Sequence, residues 1–353
     1  MCPSQQSDLA AETFIFVDVD GVLNVGIRDQ EDAPLLFNQA NKEFALSQQG
    51  KRQPRQHDEN CVQRLLAVAQ QSLPSEEGSY SDLACTQGSH ICEALARRLA
   101  QVIVAGGERC TVVLSSNWRK PQHANRVRKL EAEVSKHLDC TFTFDARTAP
   151  ANERNASDRL RCIGDYVESL CGPNGRFHDG RPLRCLLLED FFITPLNGWA
   201  CGNARIDSTA AAEAYLKSRA SASANIQAKL VHTYHEWKSP TGLRVQIGAG
   251  LSHTFAKQAF EFLAAPIIAA KSAPLSFAGK MQQQIQSRMA VPVQKSIEEE
   301  VKVPSERPSM RLTAKHMDKV GTAATACTLA QTRLAESITS ALPWLAVYLP
   351  CAV

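Results

Sequence analysis

Apolar residues along the chain follow two periods. Short runs rich in β-branched and large apolar residues lie at 14–17, 111–114 and 185–188, with a weaker run at 229–234. Each of the first three ends in polar residues, the pattern of a strand buried on both faces. Between these runs the spacing becomes that of an amphipathic helix. "SHICEALARRLAQVIVAGG" repeats Ile91, Leu95, Leu99 and Val102, with Ser89 as a cap and glycines as a stop. "DRLRCIGDYVESLCG" sets Leu160, Ile163, Val167 and Leu170 on one face ahead of Gly172, and "SHTFAKQAFEFLAA" repeats the pattern. Strands alternating with helices predict an α/β domain built on a doubly wound, mostly parallel sheet.

Two segments interrupt this alternation. Residues 25–88 hold a polar loop, "SQQGKRQPRQ", and one helix expected over 59–71. That is too long for a plain connection, so the segment reads as a small cap over the strand ends or as a surface insertion. Residues 196–228 form a second, Ala/Ser-rich insertion expected to be partly helical. Beyond about 270 come Gln runs, Lys/Glu clusters and prolines at 292, 304 and 308. The expected organisation is a domain over 13–270 and a low-complexity, disordered tail over 271–353. The chain shows no internal repeat.

Charge and cysteine content narrow the classes. Ten Lys/Arg against six Asp/Glu in 271–353 make the tail basic, whereas 29 against 30 leave residues 1–270 near neutral. The main body is therefore not expected to bind nucleic acid strongly on charge alone. Twelve scattered cysteines without a C-x-x-C pair argue against a zinc ribbon and a disulfide framework. The opening "MCPSQQSDLAAE" has neither a basic start nor an apolar core, so a reducing, cytoplasmic setting is expected. "ITSALPWLAVYLPCAV" is apolar, but sixteen residues with two prolines fall short of a membrane span. His232 and His235 in "HTYH" lack a third zinc ligand, and Cys85 and Cys92 have no metal spacing.

The candidate chemistry sits at the strand ends. "FIFVDVDGVLN" closes its apolar run with Asp18 and Asp20, two apart and so on the same side of an extended chain. Gly21 permits a tight turn directly after them. Paired carboxylates can divide acid and base roles or seat Mg²⁺, a hard cation that favours oxygen ligands. Taken alone, the pair could instead close the strand as an Asx-type turn. The second run, "VVLSSNWR", ends in Ser115 and Ser116, and the third, "LLLEDFF", in Glu189 and Asp190. On one edge of a parallel sheet these three ends would converge.

With those motifs the sequence resembles the haloacid-dehalogenase-like phosphohydrolase superfamily, whose fold is Rossmann-like. It is most similar to the haloacid-dehalogenase domain of Swiss Army Knife RNA repair-like proteins. That branch tends to read D-[IV]-D-G-V-L-N, then V-L-S-S-x-W-R. An Arg with Ile and an aromatic at helical spacing follows, here Arg159, Ile163 and Tyr166. A "GLT" helix comes last, here "GLSHTFAKQAFEFL" from Gly250. The resemblance spans roughly 13–264. It implies a Mg²⁺-dependent phosphatase with Asp18 as nucleophile and Asp20 as general acid and base. It further implies Ser115 as a phosphoryl-oxygen donor and Arg159 as the phosphate-binding cation, with Arg119, Lys120, Arg154 and Arg161 as rivals. The metal set it implies is Asp18, the Asp20 carbonyl and the acidic pair Glu189 and Asp190, where the branch tends to have Asp-Asp. Asn24 and Trp118 are read as structural supports. The substrate would be a small phosphomonoester or a phosphorylated nucleic-acid end; the alternative to an enzyme is an interaction module that has lost turnover.

Overall fold

The computed structural model describes residues 11–28, 34–53, 55–73, 78–86, 88–149, 156–172, 174–191, 198–221 and 224–266. The chain opens with β1 (Glu12–Val17), β2 (Gly26–Arg28), β3 (Leu35–Leu36), α1 (Gln39–Ser47), α2 (Gln56–Gln70) and α3 (Glu93–Ala105). It continues with β4 (Cys110–Leu114), α4 (Ala124–Ser135), β5 (Ala146–Arg147), α5 (Ala156–Cys171) and β6 (Pro182–Glu189). Then follow β7 (Trp199–Cys201), β8 (Ala204–Ile206), α6 (Thr209–Ser218), β9 (Asn225–His232), β10 (Tyr234–Lys238), β11 (Arg244–Gly248) and α7 (His253–Ala264).

The first three expected strands and the helices of 89–107, 158–172 and 252–265 are all present. One end differs. The third helix starts at Glu93 behind Cys92, while the Ser89 hydroxyl bonds the Ile91 backbone instead of capping it. The weak run at 229–234 straddles two strands, because Thr233 separates β9 from β10.

Five strands make the central sheet in the order β5-β4-β1-β6-β9, every pair parallel. Alternation along β1 splits the core into two layers. Ile15 and Val17 face Leu95 and Leu99 of α3, Leu130 of α4 and Phe255 of α7. Phe14 and Phe16 face Leu160 and Ile163 of α5 and Leu216 of α6. Helices thus cover both faces, which is why the strands read as unbroken apolar runs. Counted as parallel strands in chain order, the arrangement is 3-2-1-4-5. The chain leaves β1 toward one edge, returns, and lays β6 on the other side of β1. That reversal opens a crevice at the carboxyl ends of β1 and β6, where open α/β sheets take their ligands.

A second sheet, β10-β11-β2-β3, is antiparallel throughout. It joins the start of the 25–88 segment to the hairpin after β9. Val62 and Leu65 of α2 and Tyr80 lie in the same buried cluster as Ile15, so this segment is packed into the main core. Within 196–228, a β7-β8 hairpin precedes α6, whose Ala212 and Leu216 pack under the sheet. No helix among the described residues is long and apolar enough to cross a membrane. The nine described cysteines are all free thiols. The tail expected over 271–353 and its apolar end lie outside the described residues.

Candidate active site

Register brings the strand ends together. Val17 pairs with Leu114 on one side and Leu188 on the other, so Asp18, Ser115 and Glu189 are the next residues of three adjacent strands. The Ser115 N–H donates to the Val17 carbonyl at 2.9 Å, and the Asp18 N–H to the Leu188 carbonyl at 3.0 Å. All three side chains are buried, and so are Ser116 and Asp190.

The loop after Asp18 is pinned from two directions. Gly21 has φ +81°, the left-handed region that suits glycine. A methyl group there would meet Asp190 Oδ2 at 2.2 Å. The Gly21 carbonyl accepts from Thr233 Oγ1 at 2.8 Å and from the Gly250 N–H at 3.0 Å, and the Leu251 N–H donates to the Val22 carbonyl at 2.7 Å. The "GLS" stretch ahead of α7 therefore braces the aspartate loop.

Asp18, Glu189 and Asp190 form the one group among the described residues with the donor geometry for a metal ion, each offering an oxygen within 4.8 Å of the others. Two guanidiniums reach them. Arg159 Nη1 lies 2.7 Å from Asp18 Oδ2, 3.1 Å from Glu189 Oε2 and 3.9 Å from Asp190 Oδ1. Arg28 Nη2 lies 2.8 Å from Asp190 Oδ2 and donates to its carbonyl at 3.0 Å. Three carboxyl groups thus face two guanidiniums. Asp18 Oδ1, Glu189 Oε1 and Ser115 Oγ are buried without a hydrogen-bond partner. Such groups are costly unless something else engages them.

Burial sets the electrostatics. It pushes the Asp18 carboxyl up to about 6; the Asp190 and Asp20 charges add to this, while Arg159 and a hydrogen bond from Ser116 oppose it. Burial also raises Glu189 well above the ordinary carboxylate range, against the pull of Arg159. For Arg159, burial favours loss of the proton, but Asp18, Glu189 and Asp190 outweigh it and the guanidinium is held charged more firmly than usual.

Asp20 does not join the three buried acids with its carboxylate. Its Oδ2 accepts from Trp118 Nε1 at 3.0 Å and its Oδ1 from Asn24 Nδ2 at 3.1 Å. Asn24 in turn accepts the Gly21 N–H at 2.9 Å and donates to the His90 carbonyl at 3.0 Å. Trp118 and Asn24 are thus direct partners of Asp20, a role beyond the packing read from sequence.

The rival cations stand elsewhere. Arg119 is buried and donates to the Ser115 and Ser116 carbonyls at 2.8 and 2.6 Å, fixing the turn after β4. Arg161 pairs with Asp158 at 3.1 Å on the exposed side of α5. Lys120 is half-buried at the end of that turn, and Arg154 lies outside the described residues. Arg28 was not legible in advance, because only the pairing of β2 with β11 carries it to Asp190. His232 bonds the Phe191 carbonyl and His235 the Tyr80 hydroxyl, so the two share no ligand. No family model, curated protein or solved structure matches the chain.

Proposed function

We propose that the protein is a haloacid-dehalogenase-like phosphohydrolase that passes a phosphoryl group from a phosphomonoester to Asp18 and then to water. The observation that carries this reading is the unpartnered Asp18 Oδ1, buried at the switch point of the sheet beside two more acids and a guanidinium. A buried carboxylate oxygen left without a hydrogen bond supports the nucleophile role. Its oxygen attacks phosphorus as the bond to the leaving oxygen breaks, and Asp20 delivers a proton to that oxygen. Asp20 then takes a proton from the water that attacks the aspartyl-phosphate, releasing inorganic phosphate and restoring Asp18. Arg159 neutralises charge on the phosphoryl oxygens, and the free Ser115 hydroxyl donates to one of them.

The residues present fit a divalent cation. The orphaned Asp18 and Glu189 oxygens and the neighbouring Asp190 form an all-oxygen set suited to Mg²⁺. Asp18, Glu189 and Asp190 would hold it, with the Asp20 carbonyl added by the family resemblance. When bound it would supply Lewis-acid stabilisation of the transferring group.

The test is phosphate release by the full chain from a panel of phosphomonoesters, with Mg²⁺ and with chelator. Release should require Mg²⁺, and Asp18→Asn should lower it by about 10³-fold or more with the fold retained by circular dichroism. Equal inertness of wild type and Asp18→Asn across the panel would favour the non-catalytic module instead. That rival draws on Arg159 already seated on Asp18.

A further inference from the structure

On the phosphotransfer reading, Asp20 faces the leaving oxygen, so whatever surrounds Asp20 meets the rest of the substrate. Those surroundings are cationic and aromatic. Trp118 gives its indole N–H to Asp20 at 3.0 Å, and Arg126 lies over its ring face, Cζ 5.8 Å from the centroid. The His90 ring meets the same indole edge-on at 6.3 Å. Lys129, one helical turn beyond Arg126 on α4, shares its face, and the Arg126 and Lys129 charges both bear on His90. His123 precedes α4 and feels Arg126, Asp20 and Lys120. Burial, added to by these cations, lowers the pKa of both histidines, so they stand as neutral hydrogen-bonding groups among permanent charges.

Several surface cations of this chain are paired with acids. Arg97 meets Glu93, Arg161 meets Asp158, Arg219 meets Asp165, and Lys136 meets Glu133. Lys120, Arg126 and Lys129 pair with no described carboxylate. The first turn of α4 carries no acid. The acids further along it are engaged elsewhere, Glu131 by the Phe144 N–H and Glu133 by Lys136. The indole also fixes Arg126 before any ligand arrives, which lowers the ordering cost of binding an anion.

We propose that this surface takes a second phosphate: the substrate is a phosphomonoester whose leaving group is itself an anion. Asp18 and Arg159 receive the transferred phosphoryl group, while Arg126, Lys129 and Lys120 hold the charge retained by the leaving group. A neutral small alcohol as leaving group uses only the first half of the site. The same chemistry is presented by a small bisphosphate and by the terminal phosphate of an oligonucleotide, and the near-neutral main body does not disfavour the former.

The test compares Mg²⁺-dependent phosphate release by the full chain from phenyl phosphate, a nucleoside 3′,5′-bisphosphate and a 5′-phosphorylated oligonucleotide. The expected result is a kcat/KM at least about tenfold higher for one or both anionic substrates than for phenyl phosphate. Arg126→Ala should cut that preference ratio about tenfold, Lys129→Ala should cut it less, and added salt should erode it. A stronger salt dependence with the oligonucleotide assigns a polymer; a preference confined to the bisphosphate assigns a small molecule. Equal kcat/KM for phenyl phosphate and both anionic substrates, unmoved by Arg126→Ala, overturns the inference and leaves the phosphatase reading standing. Calorimetric titration of the bisphosphate into Asp18→Asn separates the opposite failure. Binding there that weakens in Asp18→Asn/Arg126→Ala, with no release from any substrate by wild type, sinks the phosphatase reading and keeps the anion site; no binding and no preference sinks the anion site.

Discussion

Gly21 shows how one residue conditions the site. Its positive φ and the approach of Asp190 Oδ2 leave no room for a side chain. Gly248 closes the same gap from β11, where a methyl group would meet the Gly21 Cα at 2.4 Å. Gly21→Ala should cost about 1–3 kcal/mol from backbone conformation alone, and more from displacing Asp190, as a drop in denaturant midpoint. Asp18 makes a second prediction at this scale. Burial raises its folded pKa to about 6 from 3.8, so the folded state holds the proton more tightly than the unfolded chain. Its contribution to stability is complete below pH 3.8 and is lost as pH rises through about 6. Chelator-treated protein should lose about 2 kcal/mol across that window. Asp18→Asn should remove the share of that slope due to Asp18 and leave the share of Glu189, which burial also raises; a slope identical in the two proteins would show that Asp18 is not a group responsible. Arg159→Met leaves two buried carboxylates without their cation and should cost about 3–5 kcal/mol. Pairing it with Asp18→Asn should recover part of that loss.

At the scale of elements, the β10-β11 hairpin turns a sequence-distant segment into part of the site. Ile247 pairs with Ile27, and Gln246 with Arg28, so β11 sets where the Arg28 guanidinium arrives. Ile247 is fully buried. Ile247→Ala should cost about 2–5 kcal/mol by chemical denaturation. On the proposed function it should also lower kcat more than a loss of equal size on the far side of the sheet, such as Leu216→Ala in α6. Helix α5 does comparable positioning work from the other layer. Its Leu160, Ile163 and Val167 stripe anchors the helix under β1, and Arg159, one residue before the stripe, is thereby aimed at Asp18.

For the whole molecule, the site exists because the chain reverses direction across the sheet between β5 and β6. No single layer contains it: β1, β4 and β6 supply acids and hydroxyls, α5 one cation and the smaller sheet another. Such a site couples ligand binding to global stability. Mg²⁺ at about a hundred times its Kd should raise unfolding free energy by about 2.7 kcal/mol. Calorimetric scans with and without Mg²⁺ should show an upward shift in wild type that is lost in Asp190→Asn. A shift of the same size in that variant would place the cation elsewhere.

What the sequence by itself determined is the alternation of buried runs with amphipathic helices, and the residue types at three strand ends. Both follow from local rules: an apolar run of four must be buried, and an acid at its end must be answered by something. Arg159 was singled out only by the family resemblance, ahead of Arg119, Lys120, Arg154 and Arg161. Only the tertiary structure decided which cation sits where. Arg28 reaches Asp190 through a strand pairing that spans over two hundred residues of sequence, and Arg119 is consumed by carbonyls that its own turn exposes. It also decided that Trp118 holds Asp20, since a hydrogen bond between side chains 98 positions apart has no local signature. Long-range pairing is set by the packing of whole layers, and no window of sequence contains that information.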